Sequence, residues 1–169
     1  MKQTMRKLKT LIEKIDKEKA WRWFSVIWLA AVPFLCCLSY CLKTDNLISD
    51  LYLPAGLWND DIIYYKEVEG IVHYGIPQGY FGYSDTHALA GSFSVWSPVL
   101  LLPWSIWGLL FGWNYMSPIW CNIAMMMLGM GFFAFLAKPD KKQVFWLSMF
   151  YALFIRLTRY ALSAHVEST

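Results

Sequence analysis

The sequence predicts an all-α membrane protein, with about three transmembrane helices plus juxtamembrane helices in a first extracytoplasmic loop. Three observations carry that reading. The 169 residues are 57% hydrophobic and include 10 Trp, 10 Tyr and 11 Phe. Together with a mean hydropathy of +0.36, this is a membrane composition rather than a soluble one. Long stretches carry no charge: 23–42 is one, and 88–137 is another. The remaining charges are segregated, with eight of the 15 basic residues inside the first 22 positions. Under the positive-inside rule, that segregation places the N-terminus in the cytoplasm of a multi-pass cell-membrane protein. Nucleic acid is excluded as a partner because the basic run leads straight into an apolar span.

Residues 1–22 read as a basic amphipathic tail. Residues 23–42 are uncharged between Arg22 and Lys43. At about 1.5 Å per residue they match a hydrocarbon core of roughly 30 Å, and they are too long for a cleaved signal peptide. The segment 43–96 holds most of the acids and many Gly and Pro turn signals, as expected of a structured extracytoplasmic loop. Within it, Asn59 is a candidate N-cap and Asp60 to Tyr74 reads as a helix.

Residues 97–113, with Pro98 and Pro103, suit a short membrane-embedded juxtamembrane helix better than a clean span. Ser97, Ser105, Gly108 and Gly112 share one face there and allow close packing. Residues 117–137 are the next span, 138–142 ("KPDKK") a cytoplasmic loop, 143–162 the last span and 163–169 an extracytoplasmic end. The competing division makes two spans of 88–137 and carries "KPDKK" outside. The four cysteines lack metal or redox spacing and read as small apolar packing residues.

Two sets of charged residues invite a chemical reading. Projected at about 100° per residue, Asp60, Asp61, Tyr64, Tyr65, Val68, Ile71 and Val72 fall in one arc, with Lys66, Glu69 and His73 opposite and Glu67 at the edge. Both aspartates therefore sit at the head of the face expected to be buried. Acids in a first turn also complement the helix dipole, by about 0.3–1 kcal/mol, but a dipole favours no particular face. A carboxylate here can act as a general base or contribute to a divalent-cation site, of which two acids alone are an incomplete set.

Arg156 and Arg159 form the second set. Counting from Lys142, an unbroken helix lifts them about 21 and 26 Å, into the outer part of the membrane. Snorkelling to the headgroups accounts for such residues; so does binding of a phosphate, which arginine's planar donors suit.

The order of parts resembles the N-terminal portion of the bacterial GT-C-fold integral membrane glycosyltransferases of the protein mannosyltransferase and aminoarabinose transferase type. "DDIIY", Asp60 to Tyr64, looks like their first-loop acidic motif, and "SPVLLLPWSIWGLLFG" takes the position of their juxtamembrane helix. The resemblance implies transfer of a sugar from a polyprenyl-phosphate donor to an extracytoplasmic acceptor within a lipid membrane. It implies Asp60 and Asp61 as catalytic residues or ligands of a divalent cation, with Tyr64, Arg156 and Arg159 on the substrates. Relatives of that fold have many more spans, so the chain is expected to be an N-terminal fragment, inactive alone. The alternative is a small non-catalytic polytopic protein that assembles with a partner.

Overall fold

The computed structural model describes residues 2–48, 60–79, 89–91 and 98–163 and, within these, side chains other than those of 2–15, 60–61, 78–79, 89–90, 98 and 100. Its helices are α1 (Lys2–Lys43), α2 (Asp60–Tyr74), α3 (Leu102–Phe111), α4 (Ser117–Ala137), α5 (Lys141–Leu153) and α6 (Ile155–Ala161). The all-α expectation omits one small feature. Strand β1 (Gln78–Gly79) pairs antiparallel with β2 (Leu89–Ala90), with Gln78 opposite Ala90. The Gly91 N–H donates to Pro77 O at 2.8 Å and closes this ladder.

Two helices are long and apolar enough to cross a membrane: the Asp16–Lys43 part of α1, and α4. The basic tail is thus a helical extension of the first apolar segment and not a separate element. Pro33 lies inside α1. Among the described side chains of α1 the buried ones are Ser25, Leu29, Val32, Pro33, Cys37 and Cys41, an i, i+3/i+4 stripe on one face. That stripe packs against α4, which runs in the opposite direction. At one end Leu29 clusters with Ala134 and Val144; at the other, Cys37 and Cys41 cluster with Ile119 and Ile123. The helices come close where residues are small: a Cβ on Gly131 would sit 3.1 Å from Ala30 Cβ. The cysteines pack as small apolar groups, and all four are free thiols.

The turn between α4 and α5 is built by local chemistry. Lys138 closes α4 in a left-handed conformation at φ 48°. Asp140 then caps α5, accepting from Gln143 N at 2.8 Å while its own N–H donates to Gln143 Oε1 at 2.9 Å. The turn is tied to the start of the apolar part of α1. Trp21 Nε1 donates to Pro139 O at 3.0 Å, Lys141 Nζ lies 5.7 Å from the Trp21 ring centre, and the Arg22 guanidinium lies 4.7 Å from that of Phe135.

The stretch 143–162, expected as one helix, is two. The chain breaks at Phe154 (φ −85°, ψ 67°), between α5 of 13 residues and α6 of 7 residues. At about 1.5 Å per residue, α5 is about 20 Å long and falls short of the hydrocarbon core. The break brings Ala161 and Leu162 into the cluster with Cys37 and Cys41. The rise that put Arg156 and Arg159 at a set depth therefore applies only as far as Leu153.

Residues 97–113 also differ in detail from their expected helix face. Ser97 lies outside the described residues. Ser105 and Gly108 are buried as expected, but Gly112 ends α3 at φ +85° and is exposed.

Candidate functional site

Helix α2 lies against α3 through a core of Tyr64, Val68, Leu101, Trp104 and Cys121, with Val72 packed beside it. The close approach depends on Gly108, where a Cβ would meet Val72 Cγ2 at 2.6 Å. Exposed Lys66 and half-buried Glu69 form an ion pair one turn apart on the outer side of α2. Asp60 and Asp61 are the first two residues of α2; their side chains, and Asn59, lie outside the described residues. Position 60 is on the same side of α2 as Ile71 and Glu67, and position 61 on that of Val68 and Val72.

Glu67, expected at the edge of the buried face, is 0% exposed. The signal for it was spacing. Glu67 is seven residues after Asp60, which returns it to within about 20° of the same helical direction. A buried acid is costly without compensating interactions, and Glu67 puts one carboxylate on the packed side of α2.

The two adjacent tyrosines separate. Tyr64, implied to contact substrate, is 3% exposed and belongs to the apolar core. Tyr65 stacks between Trp113 and Tyr115, with ring centres 5.2 and 5.3 Å away, and its backbone oxygen accepts from Trp113 Nε1 at 3.1 Å. Burial, then the Glu69 carboxylate, then Tyr115, push the Tyr65 phenol up to about 12. Trp113 also lies 5.9 Å from the Trp104 ring. An aromatic series thus runs from buried Trp104 through Trp113 and Tyr65 to Tyr115, which is 59% exposed.

Asn122 links this region to the other end of the chain. It is fully buried within α4; its Oδ1 accepts from Trp104 Nε1 at 2.8 Å, and its Nδ2 donates to Ser163 O at 2.9 Å, just beyond α6. A lone Asn in an apolar run gives no hint of its partners, 18 and 41 residues away.

Arg156 and Arg159 are both on the exposed face of α6, together with Tyr160. They are not gathered with Tyr64, which is enclosed between α2, α3 and α4. Among the described residues, no group of three or more His, Cys, Asp or Glu could hold a metal ion. No protein-family profile, curated protein or solved structure matches the chain.

Proposed function

We propose that this chain is the N-terminal membrane portion of a glycosyltransferase that moves a sugar from a polyprenyl-phosphate donor to an extracytoplasmic acceptor. One observation supports it above the others: an acid-headed helix, α2, laid along a short apolar helix, α3, directly before the span-length α4. The outward face of α3 is apolar throughout, with Leu102, Ile106, Leu109, Leu110 and Phe111 all more than half exposed. Such a helix suits the outer part of a bilayer better than water. In this reading α1, α4 and the α5–α6 pair are three crossings, and the N-terminus and residues 138–140 are cytoplasmic. Asp60 is the general base or metal ligand and Asp61 its neighbour. The exposed arginines of α6 meet the donor phosphate.

Asp60→Asn tests the assignment in the full-length enzyme, with sugar transfer assayed in membranes. Loss of a general base costs about 10²–10⁴ in rate. Transfer should fall by that amount while the variant inserts at normal levels. Turnover within twofold of wild type would remove Asp60 from the chemistry and leave it as a helix-dipole partner.

A further inference from the structure

Between α1 and the α5–α6 pair runs an open groove of about 490 Å³. Val32 and Cys36 line it from α1, Met149 and Ala152 from α5, and Ile155 from α6. One end is bridged by Trp28, whose Nε1 donates to Ser148 Oγ at 3.0 Å. Lys43 lines the other end. Arg159 stands one turn beyond Ile155 on the same side of α6. Among the described residues, neither Lys43 nor Arg159 has an ion-pair partner.

We propose that this groove binds one anionic phospholipid, with an acyl chain held along it and the phosphate at Lys43 and Arg159. The inference does not depend on the glycosyltransferase reading, and at Arg159 it competes with it, since one guanidinium holds the lipid phosphate or the donor phosphate and not both at once. Shape selects a hydrocarbon chain over a protein helix. A helix about 10 Å wide and as long as the groove would occupy roughly 1,700 Å³, more than the about 1,130 Å³ of empty space there. Length agrees with one leaflet. Trp28 to Lys43 spans about 22 Å of α1, and half a bilayer with its headgroups is about 20–22 Å. Charge selects the headgroup: Lys43 in the lining, with Arg159 one helical turn past Ile155, favours a phosphate with net negative charge over a zwitterion.

The test is native mass spectrometry of the full chain released from bilayer discs of phosphatidylglycerol or phosphatidylcholine. One phosphatidylglycerol should be retained per chain, in preference to phosphatidylcholine. Lys43→Ala with Arg159→Ala should cut that preference by about tenfold or more. Ala152→Trp should abolish retention by filling the slot, with helical content from circular dichroism unchanged. Should Ala152→Trp fail to fold, a photo-crosslinker on Ala152→Cys takes its place, and it should yield a phosphatidylglycerol adduct. Equal retention of both lipids, no retention by the wild type, or a crosslink to a second copy of the chain would each overturn the proposal.

Discussion

Tyr64 and Tyr65 are adjacent in sequence and opposite in environment. Tyr64 faces the apolar core, where its ring contributes area. Tyr65 is clamped between Trp113 and Tyr115 near the Glu69 carboxylate, and burial, Glu69 and Tyr115 in that order hold its phenol up to about 12. The folded state therefore favours the neutral ring. Stability from this site is complete below the ordinary tyrosine value of about 10 and is lost as pH rises through about 12. A tyrosinate absorbance titration of wild type minus Tyr65→Phe should show a single step near the upper value; a step near the ordinary value would mean that the stack does not bury the phenol. The "DDIIYY" stretch makes both rings legible as residues of one helix face. It does not separate them, because the clamp comes from the turn before α4.

At the scale of elements, the pairing of α2 with α3 rests on the missing side chain at Gly108. Ala is worth about 1 kcal/mol over Gly in a helix interior, while overpacking a well-filled contact costs about 1–3 kcal/mol. Val72 Cγ2, at 2.6 Å from the added methyl, belongs to a stiff β-branched side chain that cannot swing away. The steric term wins. Gly108→Ala should destabilise the folded protein by about 1 kcal/mol. In a Val72→Ala background the same change should be neutral or stabilising by up to about 1 kcal/mol. Denaturation of the four proteins in detergent measures the coupling, and additive effects would show that α2 does not rest on Gly108. The bounds of α2 and α4 coincide with those the sequence predicts, since capping, charge and apolar length are local properties. The break at Phe154 has no such marker: neither Gly nor Pro stands near it.

Across the whole molecule, the antiparallel packing of α1 and α4 sets which ends lie together. The Trp21–Pro139 hydrogen bond and the Arg22–Phe135 contact put the α4–α5 turn beside the basic end of α1's apolar segment. Asn46, just past α1, is at the far end. In a cysteine-free background, an impermeant thiol reagent added outside intact cells should label Asn46→Cys and spare Asp140→Cys. Labelling of Asp140→Cys alone would invert the proposed orientation, and labelling of both would put the two ends of one antiparallel pair on the same side of the membrane, which no single insertion allows.

By itself the sequence determined the helical, membrane-type composition of this protein, the extents of α2 and α4, and the basic and acidic segregation around α1. These follow from short-range physics: backbone groups satisfied within a helix, apolar runs of bilayer length, and residues such as Asp140 and Gln143 that cap within one turn. The tertiary structure alone decided that Glu67 is buried, that Tyr65 and not Tyr64 is clamped by aromatic rings, and that the chain breaks at Phe154 and places Ser163 where Asn122 reaches it. The last two depend on partners tens of residues distant: Trp113 for Tyr65, 48 positions away, and Ser163 for Asn122, 41 positions away. Side-chain chemistry at one position cannot specify which remote surface the folded chain will bring to it.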